Sequence, residues 1–144
     1  MYIRRFLLHR RIDREGEAVE KVSMSHEDYL EAIVMLGGSQ TQSVRSVDIA
    51  AKMGVSKASV SKAVTSLKNS GMLEQPYYGD ITLTDDGYAY GCAVLKRHEM
   101  LTRFLTEKVG LSKQVAEEEA CQMEHAISDE SFQKWLAYFE KIGL

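Results

Sequence analysis

The sequence predicts a mainly α-helical fold, and three observations support that prediction. The 144 residues contain one proline and ten glycines, so few residues interrupt a helix. Apolar residues recur every three or four positions, the period of a helix that buries one face. Serine or threonine precedes several of these stretches, where the side chain can cap a helix N-terminus. We therefore expect a series of capped helices with one hairpin among them.

Composition excludes several classes of protein. Hydrophobic residues make up 44% and charged residues 27% of the chain, unlike disordered, collagen-like or disulfide-scaffold proteins. No apolar run approaches the roughly 18 residues of a membrane span, and the basic amino terminus lacks a secretory apolar core and cleavage site. Cys92 and Cys121 form no disulfide framework. We expect a cytoplasmic protein with free thiols and no membrane partner.

Charge is distributed unevenly along the chain, although the formal net charge is only −3. Residues 45–68 carry five basic side chains against one acid, and residues 113–144 carry three against seven. This asymmetry predicts one surface for an anion and another for a cation. We divide the chain into a basic extension at residues 1–23, a first domain at residues 24–88 and a helical second domain at residues 89–144.

Three helices are predicted before residue 70. Ser25, with an acid three residues later, resembles a capping box, and the helix that follows ends at the glycine pair 37–38. A short second helix covers residues 46–53 and stops at a glycine. Ser56 caps a third helix that ends near residue 69, with apolar positions at helical spacing: Val60, Ala63, Val64 and Leu67.

A hairpin and a long helix follow. Residues 72–75 and 80–84 are predicted as strands, joined through turn residues at 76–79. Thr84 caps a helix that reaches about residue 108. The boundary between the two domains is predicted inside this helix, among its first residues.

Two further helices are predicted after the long one. Gly110 breaks the long helix, and Ser112 caps a helix that reaches about residue 126. Ser128 opens the last helix, whose apolar residues form one stripe: Phe132, Trp135, Leu136 and Phe139.

The most specific local pattern predicts a helix-turn-helix. Ala50, Gly54 and Val60 stand where two helices pack closely around a sharp turn. The second helix exposes short hydroxyl and lysine side chains at the end that would enter a major groove, and the hairpin follows in the position of a wing. An alternative is a helix-turn-helix used only for packing or protein contact. We predict these DNA-contacting residues: Ser46, Ser56, Lys57, Ala58, Ser59, Ser61 and Lys62.

A second pattern predicts half of a metal site. Cys121, Glu124 and His125 are spaced i, i+3 and i+4, which places all three side chains on one face of a helix. Thiolate, carboxylate and imidazole are ordinary ligands of divalent metals. A surface position unrelated to metal is the alternative for these residues.

Three other residues are weaker candidates. Asp28 and Glu31 lie three apart on the first predicted helix, where a solvated helix face is the simpler interpretation of the spacing. His98 lies in the middle of the long helix, where an exposed basic run is the alternative. Cys92 has no partner at ligand spacing, and we interpret it as a core residue.

The order of these features resembles the family of iron- and manganese-dependent repressors. The resemblance covers residues 24–142, and its most specific part is C-x-x-E-H-x-x-S-D-E at residues 121–130. It implies a winged helix-turn-helix DNA-binding domain followed by a helical metal-binding and dimerisation domain, in a short form without the carboxy-terminal SH3-like domain of longer members.

The resemblance also implies a ligand set. Asp28 and Glu31 match the manganese-type branch, whereas Cys121 stands where that branch has glutamate. Oxygen and imidazole ligands suit Mn²⁺ or Fe²⁺, and the thiolate favours later metals, so we expect Zn²⁺ or Co²⁺ to bind in vitro as well. The implied ligands are Asp28, Glu31, His98, Cys121, Glu124 and His125.

The function implied is a homodimeric, metal-activated repressor that binds operator DNA of metal-uptake genes and takes no small-molecule substrate. A winged-helix regulator that responds to an organic ligand, or to oxidation at Cys121, is an alternative. So is a protein-interaction module that binds no DNA. An enzyme is disfavoured because no nucleophile is paired with a separate base or oxyanion hole.

Overall fold

The computed structural model describes residues 24–77 and 79–144, and the predicted extension at residues 1–23 lies outside this part of the chain. The winged, mainly helical fold is confirmed. No helix of the described residues is long and apolar enough to cross a membrane. The elements are α1 (Met24–Met35), β1 (Val44–Arg45), α2 (Ser46–Met53), α3 (Lys57–Asn69), β2 (Leu73–Tyr77), β3 (Asp80–Leu83), α4 (Asp85–Phe104), a π-helical turn (Leu105–Val109), α5 (Lys113–Met123) and α6 (Asp129–Lys141).

Local capping explains where four helices begin. The side chains of Ser56, Thr84, Ser112 and Ser128 each accept a hydrogen bond from the backbone N–H three residues later, as predicted. The predicted cap at Ser25 is wrong, because α1 already begins at Met24 and Ser25 lies inside its first turn.

The helix-turn-helix closes around the first apolar core. Gly54 ends α2 in the left-handed conformation with φ 65°, which glycine adopts without steric cost, and Val55 then donates a backbone hydrogen bond to Ala50. Helices α1 to α3 and the sheet bury a common set of side chains: Tyr29, Leu30, Ile33, Val44, Ile49, Val60, Ala63, Val64, Leu67, Leu73, Ile81 and Leu83.

The wing differs from the prediction in two respects. A third strand, β1, pairs antiparallel with β3, giving the sheet order β1-β3-β2, and two residues are too few to show an alternating pattern. Pro76 and Tyr77 belong to β2 rather than to the turn, after an irregularity in the pairing between Glu74 and Tyr77. The strand β2 therefore extends two residues beyond its predicted end.

Helix α4 contributes to both apolar cores. Its first half packs on α1 at Gly91, where an added Cβ would lie 2.9 Å from the carbonyl oxygen of Leu30. Its second half reaches the second core, which contains Leu101, Leu105, Ala116, Ala120 and Phe139. The domain boundary at residues 88–89 stays a prediction, because α4 passes that point without interruption.

The connection between α5 and α6 is a turn that the prediction assigned to helix. α5 ends at Met123, so the expected helix to residue 126 is wrong by about one turn. Glu124 keeps helical dihedral angles and an amide hydrogen bond to Ala120, and Ala126 bonds to Met123. The predicted ligands Glu124 and His125 therefore lie on a tight turn rather than on a helix.

Replacing Gly91 by alanine tests the close approach of α1 and α4. At an open helix position this change would stabilise the protein by about 1 kcal/mol, because alanine has the higher helix propensity. Here the new methyl group meets the backbone of Leu30, so we expect a loss of about 1–3 kcal/mol in the free energy of unfolding. Urea denaturation measures it, and a gain in stability would contradict this packing.

Candidate metal centre

Glu124 lies at the centre of a buried polar cluster. Its side chain is fully buried. Its Oε2 is 2.8 Å from Nδ1 of His98. Its Oε1 is 3.2 Å from Nε2 of His125 but accepts no well-directed hydrogen bond within the described residues. A buried carboxylate oxygen without a directed donor is costly, which fits an oxygen positioned to coordinate a cation.

One group of donor atoms joins α1 to the end of α5. Asp28, Cys121, Glu124 and His125 each offer one donor atom, and these atoms lie within 4.8 Å of one another. Nε2 of His125 is 2.9 Å from Oδ1 of Asp28, and both side chains are almost fully buried. The group combines two carboxylates, a thiol and an imidazole.

A second group shares Glu124 with the first. Glu31, His98 and Glu124 also offer donor atoms within 4.8 Å of one another, and only oxygen and nitrogen are among them. Asp28 and Glu31 are buried, so they do not form a solvated helix face. The His98 side chain is 20% exposed, which argues against an exposed basic run. All six predicted ligands therefore meet at one place.

The charges of the cluster shift the pKa values of its groups. Burial lowers the pKa of His125, but its polar contacts with Cys121, Glu124 and Glu27 outweigh burial and raise it to about 11. The hydrogen bond to Glu124 likewise raises the pKa of His98, against the effect of burial. Burial raises the pKa of Glu124, but the two histidines outweigh this and lower it. Both shifts favour the protonated form of the histidines beside the carboxylates.

Glu27 supports the cluster, although sequence reasoning gave it no role. Its Oε1 accepts a hydrogen bond of 2.7 Å from the hydroxyl of Tyr90, and its Oε2 contacts Nδ1 of His125. Glutamate in the first turn of a helix is common, so no sequence pattern distinguishes this carboxylate.

Arg97 was also missed, and it holds the turn that carries the candidate ligands. It donates hydrogen bonds to the carbonyl oxygens of Glu124 (3.3 Å) and Ile127 (3.0 Å). It also pairs with Asp129, and its guanidinium lies 5.3 Å from the centre of the Phe132 ring. Only its place beside His98 in the sequence could have drawn attention to it.

The predicted DNA-contacting residues lie mainly around the amino terminus of α3. The side chain of Ser56 caps that helix, and Ser46 is half-buried at the start of α2. Arg45 forms two hydrogen bonds with Asp48, so the net positive charge of residues 45–68 comes from its lysines. The other five candidates are exposed: Lys57, Ala58, Ser59, Ser61 and Lys62.

Comparison with known families gives two consecutive matches. Residues 21–80 match the iron dependent repressor N-terminal DNA binding domain. Residues 84–142 match the iron dependent repressor metal binding and dimerisation domain. Together the matches cover residues 21–142 except for 81–83, the end of the wing.

Individual relatives agree with these matches. The chain is 33% identical over 121 residues to the uncharacterized HTH-type transcriptional regulator MJ0568 of Methanocaldococcus jannaschii, a match that covers 83% of this chain and 96% of that protein. It is 28% identical over 137 residues to the transcriptional regulator MntR of Salmonella typhi, a match that covers 92% of this chain and 86% of that protein.

The fold has close counterparts among solved structures. A manganese-dependent transcriptional repressor in complex with manganese superposes with a TM-score of 0.68 and 29% identity, covering 82% of this chain and 52% of that chain. The chain thus spans about half the length of the first solved structures that it matches. Sequence and structure agree, and the chain belongs to the iron-dependent repressor family, whose members are metal-dependent, DNA-binding transcriptional repressors.

Proposed function

We propose that this protein is a cytoplasmic, homodimeric repressor that binds Mn²⁺ or Fe²⁺ and then binds operator DNA of metal-uptake genes. The observation that supports this most is that Glu124 is shared by two donor groups, each of which includes a residue of α1. The ligands we propose are those predicted from the sequence: Asp28, Glu31, His98, Cys121, Glu124 and His125.

The donor types favour different metals in the two groups. The group with Glu31 and His98 offers only oxygen and nitrogen, which suits Mn²⁺ or Fe²⁺. The group with Cys121 adds sulfur, which increases affinity for Fe²⁺, Co²⁺ or Zn²⁺. We infer that Mn²⁺ or Fe²⁺ acts in the cell, and that Zn²⁺ and Co²⁺ also bind in vitro.

The position of the ligands provides the coupling to DNA. Asp28 and Glu31 belong to α1, which packs on the helix-turn-helix, whereas His98 and Glu124 belong to α4 and the α5–α6 turn. A bound divalent cation supplies positive charge that offsets the carboxylates of both parts. When bound, the cation would tie the α1 carboxylates to ligands of α4 and of the α5–α6 turn, and so would restrict α3 relative to the second core. In a two-fold dimer this sets the spacing of the two α3 helices, which must match grooves about 34 Å apart.

DNA binding should depend on metal and on His125. We expect Mn²⁺ to raise the affinity for a manganese-uptake promoter fragment about a hundredfold over the chelated protein, which needs about 2.7 kcal/mol of coupling free energy. Fluorescence anisotropy with a labelled fragment measures this, and His125→Ala should abolish the metal effect. Tight binding that neither chelator nor His125→Ala changes would contradict the metal switch. It would instead indicate a regulator that responds to another ligand or to oxidation.

The lysines of α3 should contribute by neutralising DNA phosphates. Replacing Lys57 and Lys62 by alanine should weaken binding of the metal-loaded protein and flatten the plot of log affinity against log salt by about 0.9 for each phosphate that is no longer neutralised. Replacing Lys113 and Lys134, exposed outside the helix-turn-helix, is the matched control. Sedimentation should show unchanged association for both variants. An unchanged salt slope would show that these two lysines neutralise no DNA phosphate.

Metal binding should release protons. His125 must give up its Nε2 proton before that nitrogen can coordinate, and its pKa of about 11 means that the proton is held throughout the physiological range. The apparent affinity for Mn²⁺ should therefore fall as the pH falls, by about tenfold per pH unit for each proton displaced. Calorimetry in two buffers of different ionisation enthalpy counts these protons. An affinity independent of pH would show that the cation displaces no proton, which would contradict the raised pKa of His125.

A further inference from the structure

His125 is held from both sides of its imidazole ring. Nε2 faces the proposed ligands, 2.9 Å from Asp28 and 3.2 Å from Glu124. Nδ1 points the opposite way and contacts Oε2 of Glu27, which is a member of neither donor group. The second carboxylate oxygen of Glu27 accepts the hydroxyl hydrogen of Tyr90 at 2.7 Å. Tyr90, Glu27 and His125 therefore form one chain of hydrogen-bonding contacts that ends at the donor cluster.

We propose that Glu27 is a positioning residue of the metal centre: its carboxylate accepts the Nδ1 hydrogen of His125 and so presents Nε2 to the cation. This inference rests on the proposed function, because it needs His125 to be a ligand. A histidine that binds metal through one nitrogen usually donates its other N–H to a carboxylate or carbonyl, which fixes the tautomer and the ring orientation.

The helix geometry explains how two consecutive residues of α1 can contact different nitrogens of the His125 ring. Consecutive side chains on a helix are about 100° apart, so Glu27 and Asp28 of α1 reach opposite edges of His125. The Glu27 side chain is 18% exposed, against 3% for Asp28, so Glu27 stands at the rim of the cluster. Tyr90 belongs to α4, so this chain of contacts also spans α1, α4 and the α5–α6 turn.

Glutamate suits this position because its carboxylate can accept two hydrogen bonds. His125 offers a hydrogen on Nδ1 and Tyr90 offers one on its hydroxyl, and a carboxylate has an oxygen for each. Glutamine keeps nearly the same shape but has one acceptor oxygen and adds an NH₂ group that would face a second donor. Glu27→Gln is therefore a change of hydrogen bonding with little change of volume.

The first readout is how fast bound Co²⁺ leaves the protein. Cobalt coordinated by the Cys121 thiolate absorbs in the near ultraviolet, and mixing with excess EDTA makes this absorption decay at the dissociation rate. We expect Glu27→Gln to accelerate the loss about tenfold or more and Tyr90→Phe to accelerate it less. Glu140→Gln, the same change at an exposed site on α6, should match the wild type.

The second readout is the protonation of the ring itself. In the Zn²⁺-loaded, ¹⁵N-histidine-labelled protein, we expect metal on Nε2 of His125 and a protected hydrogen on Nδ1. In Glu27→Gln the metal should stay on Nε2, while the Nδ1 hydrogen should exchange faster with water. A contribution of Glu27 to folding alone would leave this exchange rate unchanged.

The possible outcomes separate this inference from the proposed function. A wild type that binds neither Co²⁺ nor Zn²⁺ would overturn both. If the wild type binds these metals but Glu27→Gln behaves like Glu140→Gln, only the role of Glu27 is overturned. Metal bound through Nδ1 of His125 would overturn the same role. If Glu27→Gln does not fold, Tyr90→Phe decides the question, because it keeps the carboxylate but removes the donor that orients it.

Discussion

The arrangement of the candidate metal centre depends on the burial of the Glu124 carboxylate. A charge taken out of water must be balanced locally, and here His98 and His125 lie against its two oxygens. Its two oxygens contact a histidine of α4 and a histidine of the α5–α6 turn, and both donor groups that contain Glu124 also include a residue of α1. Helix α1 therefore contributes side chains to both the polar cluster and the first apolar core.

The close contact of α1 and α4 makes this cluster possible. Gly91 lets the two backbones approach at Leu30, and Asp28 and Glu31 lie on either side of that residue along α1. A bulkier residue at 91 would separate the helices and widen the cluster. Apolar packing thus sets the distances within the donor groups, which include two residues of the α5–α6 turn.

Local features of the sequence predicted most of the fold. The caps at Ser56 and Thr84 depend on neighbouring backbone groups, and so they are visible in the sequence. The strand β1 was missed because it is defined by its pairing with β3 and not by any pattern of its own. The early end of α5 was missed because the residues after it keep a helical spacing of polar and apolar side chains.

The candidate site was predictable only in part. Spacing indicated the three residues near Cys121, but the burial of Asp28 and Glu31 depends on the packing of α1 against α4. Their selection from the sequence therefore came from the family resemblance. Glu27 and Arg97 contact residues far away in the chain, so no spacing pattern in the sequence predicts these contacts.

Because α4 is long, a small change in its tilt near the donor groups produces a large displacement at its far end. Its 20 residues form a rod of about 30 Å that begins beside the wing and passes the donor groups on its way to the second core. A tilt of only about 5° at one end would displace the other by about 2.6 Å, roughly the length of a hydrogen bond. Changes too small to disturb either core would thus still decide whether side chains at the far end of the rod meet their partners.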